Sequence, residues 1–189
     1  MMRRRTSVCV LMTVALLLTP AAARAQLTMG AFRGLATGHI GTSIGNDDAG
    51  EALSVGGSVA VLEEGGWGAE FDFGYADSGD EPGEGLDAQS YMLNAIFVRP
   101  KGRLRPFGVA GAGVIHAQTC DAGCLAPTTW TDFGFNGGGG AQFLFSDVFG
   151  LRGDVRYFTA LGDHPAPVPQ NLSYWRITVG ATFLWAIAP

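Results

Sequence analysis

The stretch DFGFNGGGGAQFLFSDVFGLRGDVRYF, residues 132–158, sets four consecutive glycines between dense aromatics. Interior glycine weakens a strand, so the run alone reads as a loop. Its flanks contradict that. Phe133, Phe135, Ala141, Phe143 and Phe145 keep one parity, while Gly134, Asn136, Gly138, Gly140 and Gln142 keep the other. Alternation with a period of two passes straight through the glycines, which is strand patterning. After SDV (146–148) it resumes, with Phe149, Leu151, Val155 and Tyr157 against Arg152, Asp154 and Arg156. Such glycines suit a narrow, sharply curved sheet. Small residues on one wall leave space for long Arg and Glu side chains from the other, and glycine kinks permit the curvature.

Working outward, the same alternation recurs along the chain and helical periodicity is hard to find. Strands are expected near 34–43, 53–62, 67–76, 88–98, 105–117, 132–145, 149–160 and 173–185. The connections EEGG (63–66), RPKGRL (99–104) and SDV (146–148) are short. Those at 44–52, 76–87, 119–131 and 161–172 are long, acidic or proline-rich. In an up-and-down meander, alternating long and short connections put all long loops at one end and all tight turns at the other. The expected fold is therefore all-β: an eight-stranded antiparallel up-and-down transmembrane β-barrel, the smallest of the outer-membrane type.

The N-terminus and the composition fit an exported membrane chain. Arg3, Arg4 and Arg5 precede the apolar VCVLMTVALLL, and AARAQ offers a small-x-small cleavage site after Ala25. That order is a secretory signal peptide, and its apolar run falls short of the roughly 20 residues a spanning helix needs. Residues 1–25 read as the cleaved signal and 26–189 as one barrel domain. Charged residues make up 15% of the chain, against a usual value near 25%. The 29 glycines are about twice the ordinary share of roughly 7%. Removing the signal removes Arg3, Arg4, Arg5 and Arg24 but none of the 17 acidic residues. A chain this acidic is not expected to bind nucleic acid, which wants a basic face.

Alternation alone does not say which face points inward. A soluble periplasmic lipocalin-like barrel would bury the apolar face and wet the polar one. Against that stand a single lysine, Lys101, and the nearly chargeless polar faces of 105–117 and 132–145, where a wet surface carries mixed charges. Trp67, Phe97, Phe149 and Trp185 fall near the tight-turn end, and Tyr75, Tyr157, Tyr174 and Trp175 near the long-loop end. Two aromatic belts of this kind mark the membrane interfaces of a barrel.

The segments RPFGVAGAGV (105–114), GGGGAQFLFSDVFGLRGDVRYF (137–158) and YWRITVGATF (174–183) resemble the small outer-membrane β-barrel family, the OmpA/OmpX-like eight-stranded barrels of Gram-negative bacteria. The resemblance covers nearly all of residues 26–189. It implies location in the outer membrane, outer-membrane lipid as surroundings, and the barrel assembly machinery as a partner during biogenesis. That machinery reads a terminal aromatic in the family's last strand. Here Phe183 and Trp185 are in phase, but AIAP follows to Pro189.

Residues that could carry chemistry are few. The small lipid-A-modifying barrels include a deacylase with a His-x-Ser pair, whereas His39, His116 and His164 are followed two places on by Gly41, Gln118 and Ala166. No enzyme activity and no cofactor are expected. Cys120 and Cys124, in an outer loop, read as a disulfide in an oxidising compartment, with a metal site including His116 and Asp121 as the rival. Zinc prefers four ligands. The acidic residues of the first two outer loops, from Asp47 to Asp87, do not have the spacing of an EF-hand. Arg99, Lys101, Arg103 and Arg105 gather at a tight turn as a soluble rim. Glu70 and Asp72 share the polar phase with Arg152, Asp154, Arg156 and Arg176. Charges inside a small barrel must pair, so these six are expected to form a lumen ion-pair network. The expected role is structural, or surface contact with an extracellular ligand at the outer loops. The alternatives are a narrow porin-like passage for small solutes and the soluble binding barrel.

Overall fold

The computed structural model describes residues 32–45, 51–77, 85–120, 128–162 and 172–187. They form eight strands: β1 (Phe32–Gly45), β2 (Glu51–Leu62), β3 (Trp67–Asp77), β4 (Gly85–Val98), β5 (Leu104–Cys120), β6 (Thr128–Leu144), β7 (Phe149–Leu161) and β8 (Ser173–Ile187). Each pairs antiparallel with its chain neighbours, and β1 pairs with β8 from Phe32↔Ile187 to Gly45↔Tyr174, closing the barrel. The expected fold class is the observed one. The signal segment and its cleavage after Ala25 lie outside the described residues.

Several strands run further than their hydrophobic pattern. β5 and β6 pair as far as Thr119↔Thr128, because threonine and glutamine continue a backbone ladder as well as apolar residues do. The supposed long loops shorten accordingly. The β1–β2 connection, 46–50, is no longer than the turn at 99–103. The contrast between the two ends is clearest at 162–172 and weakest at 46–50.

The parity of the side chains settles which face points in. Phe71, Leu93, Phe133, Phe135, Val179 and Phe183 stand exposed on the outside, while Glu70, Asp72, Arg152, Arg156 and Arg176 are buried inside. This overturns the soluble lipocalin-like alternative, in which the apolar face would fill the interior. Trp67, Phe97, Phe149 and Trp185 are exposed at the tight-turn end. Trp67 lies against Phe97 with ring centroids 4.9 Å apart. At the other end Trp175 faces outward, but Tyr174 does not belong to the belt. It is buried in the bore and stacks on Phe158 at 4.8 Å. Adjacent strand residues point to opposite faces, so Tyr174 and Trp175 cannot both face lipid.

The interior is not uniformly polar. Leu35, Leu62, Ile96, Val98, Phe107 and Leu144 form one apolar layer at the tight-turn end. Met92, Ile115, Trp130, Phe158, Leu172 and Tyr174 form a second toward the other end. Glu70, Asp72, Arg152, Asp154, Arg156 and Arg176 lie between the two.

The glycine run sits in β6, in register with β7. A Cβ at Gly138 would collide with the Val155 carbonyl and the Arg156 backbone, and one at Gly140 with the Gly153 carbonyl. Curvature has brought the two strands too close for a side chain. Making room for arginine falls to another glycine, Gly74, whose absent Cβ would strike the Arg176 guanidinium. Gly137 meets nothing within 4 Å. Gly137→Ala should therefore leave stability nearly unchanged in urea titrations of the refolded barrel. Gly138→Ala and Gly140→Ala should each destabilise it by about 1–3 kcal/mol, the usual range for overpacking.

Candidate functional site

β3 lies across the ring from β7, and β8 is next to β7. The inward parity of β3 presents Glu70 and Asp72, while β7 presents Arg152, Asp154 and Arg156, and β8 presents Arg176. The structure brings all six together. Arg156 and Arg176 are direct register partners, and like charges placed opposite each other destabilise a sheet. Carboxylates must therefore reach both.

They arrive from two directions. On β7 itself Asp154 accepts from Arg156 Nε at 2.9 Å and Nη2 at 2.7 Å, and from Arg152 Nη2 at 3.0 Å. From across the bore Glu70 meets Arg152 Nη1 and Arg156 Nη2, both at 2.8 Å. Asp72 accepts from Arg176 Nη2 at 2.6 Å and lies 3.6 Å from Arg156 Nη1. Glu70 and Asp72 are wholly inaccessible to solvent, and Arg156 is 1% exposed. Three guanidinium groups face three carboxylates, so the layer is formally neutral. Arg156 touches all three carboxylates and is the hub.

Residues outside the expected six complete the layer. Asn94 Nδ2 donates to Glu70 Oε1 at 3.4 Å, and Asn136 Nδ2 donates to Asn94 Oδ1 at 2.7 Å. His39 Nε2 is 3.5 Å from Asp72 Oδ2. Arg152 lies over the Phe107 ring at 4.0 Å and Arg176 over Phe158 at 4.7 Å, so the arginines also bind the two apolar layers through cation–π contacts. Their strand parity was the available signal: Asn94 follows Met92, and His39 follows Thr37, on the inner face.

Among the described residues no group of His, Cys, Asp or Glu is arranged to hold a metal ion. His116 faces Thr131, with Nδ1 2.7 Å from its Oγ1. Cys124 and the side chain of Cys120 lie outside the described residues, as does Asp121. The layer spans the bore as a set of paired charges, with Arg176 Nε and Nη1 left without a hydrogen-bond partner among the described residues. Chemically it can seal or filter, and it offers no nucleophile or base aimed at open space.

Comparison with known proteins agrees with this geometry. Neisserial surface protein A superposes with a TM-score of 0.65 at 14% identity, over 82% of this chain and 98% of that one. The Ail protein of Yersinia pestis, solved with the heparin analogue sucrose octasulfate, gives 0.54 at 17% identity over 83% and 100%. The N-terminal β-barrel domain of Pseudomonas aeruginosa OprF gives 0.52 at 18% over 83% and 98%. At such identities the likeness is one of fold. A search of curated protein sequences finds no match. The family model for the outer membrane protein beta-barrel domain matches residues 7–183. The chain therefore belongs to the outer membrane protein β-barrel family, as a closed eight-stranded member located in the outer membrane.

Proposed function

We propose that this protein is a non-enzymatic, sealed barrel: a structural outer-membrane element whose outer connections form a contact surface. One observation carries the reading. A neutral layer of three arginines and three carboxylates crosses the bore, with an apolar layer on each side of it. Eight strands leave an interior that side chains fill, whereas water-filled porins use about 16–18 strands. Ions crossing such a bore would have to displace buried charge pairs and then traverse packed hydrocarbon.

The outer contact surface has a definite electrical character. The segments 46–50, 78–84, 121–127 and 163–171 contain no lysine or arginine, and Asp47, Asp48, Asp80, Glu81, Glu84, Asp121 and Asp163 lie within them. A polyanion such as the heparin analogue bound to Ail is the wrong complement for these connections. A cationic extracellular ligand suits them. Outer-membrane lipid around the barrel and the barrel assembly machinery during biogenesis complete the proposed partners.

In planar bilayers the purified protein should show little steady conductance. Arg156→Ala should strand buried carboxylates, costing about 3–5 kcal/mol, and should open a measurable leak. Arg156→Lys keeps the charge but loses the planar fork, so its stability should fall between the two. Large, stable openings from the unmutated protein would make a narrow passage for small solutes the better reading.

Cys120 and Cys124 are proposed to form a disulfide. Thiol labelling of intact cells should then fail without reductant and succeed with it. Since the bridge closes only a short loop, its loss should leave the barrel folded. Labelling without reductant, suppressed by added zinc, would favour the metal alternative.

A further inference from the structure

Charge in this barrel is sorted by end. Apart from the three arginines of the bore, the basic residues of the described strands and turns are Arg33, Arg99, Lys101, Arg103 and Arg105. All five lie at the end where the β2–β3, β4–β5 and β6–β7 turns are. They fall into two overlapping groups. Arg33 and Arg105 have inward parity and line a cleft of about 310 Å³ at the bore's mouth, together with Lys101 and the carboxylates Glu63 and Glu64. Arg105 also donates from Nε to the Gly102 carbonyl at 3.0 Å, while burial and the neighbouring charge of Arg33 weigh on it more than the attraction of Asp147 relieves it. That cleft sets basic and acidic side chains side by side.

The second group is the β4–β5 turn itself, where Arg99, Lys101, which also edges the cleft, and Arg103 are all exposed. Arg99 continues the outward parity of β4 one step past Phe97, which packs on Trp67. The Arg103 carbonyl accepts from Leu144 N at 2.9 Å, which ties the turn to the end of β6. Leu104, beside Arg103, is 60% exposed and pairs with the outward Phe143. Arg99 thus stands directly beyond the last row of lipid-facing side chains, and Lys101 and Arg103 are exposed beside it on the same turn. No ion pair links any of the three to a carboxylate among the described residues.

We propose that the β4–β5 turn is a docking surface for the headgroups of anionic phospholipids in the periplasmic leaflet. Long basic side chains extend their charged heads from an apolar surface toward the polar boundary, and guanidinium groups match phosphate geometry. The surface continues the lipid-facing band without a break, so its complement is a phosphate held at bilayer level. The acidic connections at the other end would repel the same headgroups, which gives the barrel an electrical polarity across the membrane. The proposal rests on the orientation typical of outer-membrane barrels, with tight turns toward the periplasm.

The test uses the full folded protein in vesicles of phosphatidylcholine alone or mixed with phosphatidylglycerol, extracted mildly and analysed for retained lipid. The unmutated protein should retain phosphatidylglycerol several-fold over phosphatidylcholine at low salt, and the preference should shrink at high salt. The variant R99Q/K101Q/R103Q should retain the two equally. The single variant Arg99→Gln should lose part of the preference, which covers the case in which the triple variant folds poorly. Closure of the barrel is read separately, from its shifted migration when unheated, so losing lipid preference is distinguishable from losing the barrel. Equal retention of both lipids by the unmutated protein would overturn the proposal. So would full preference in the triple variant, or abolition of the preference by millimolar inorganic phosphate at constant ionic strength.

Discussion

A strand in hydrocarbon has no water to satisfy its backbone, so every N–H and C=O at membrane depth needs a partner within the protein. The β1–β8 ladder meets that demand, and the rest of the structure follows from it. Joining Phe32 to Ile187 and Gly45 to Tyr174 turns a sheet with two open edges into a ring with none. A ring of eight strands is narrow. Backbones bend until β6 and β7 approach too closely for side chains at Gly138 and Gly140, and whatever points inward must fill the space completely. The glycine run, the layered bore and the charge pairs are three responses to one radius.

Inside that radius the charges hold one another. Arg156 and Arg176 are neighbours across a ladder, an arrangement that would drive two strands apart in isolation. Asp154 alone could not neutralise both. Glu70 and Asp72 supply the balance from β3, and Phe107 and Phe158 cover the guanidinium faces. The apolar layers on either side exclude water and so strengthen each pair electrostatically. The same exclusion raises the cost of removing any one partner.

Much of this was legible in the residues, for a physical reason. A period of two is imposed by backbone geometry, so the parity of Phe133 and Phe143 carried across four glycines and identified β6 as a strand. The same parity put Glu70, Asp72 and the three arginines on one face. What it did not show were the apolar layers. Ile96, Phe107 and Leu144 face inward with the same chemistry as the lipid-facing residues beside them, so hydrophobicity alone does not separate the two faces there. Tyr174 was misread because position along the strand suggested a belt while its parity pointed inward. His39 was missed because glycines at 38 and 41 blur the alternation of β1. Strand ends were underestimated because Thr119 and Thr128 belong to the ladder without belonging to the apolar pattern.

The bore's neutrality has a bearing on how the ring is made. Its carboxylates Glu70 and Asp72 come from β3 and its arginines from β7 and β8, on opposite walls of the ring, so the pairs form only where the sheet curls far enough to bring those walls together. A partly wrapped sheet leaves Arg176 and its neighbour Arg156 short of counter-charge, beside lipid that cannot solvate them. The closed circle and the cancelled charge therefore belong to the same geometry. A ring closed in register is thus one whose bore carries no net charge from these six side chains.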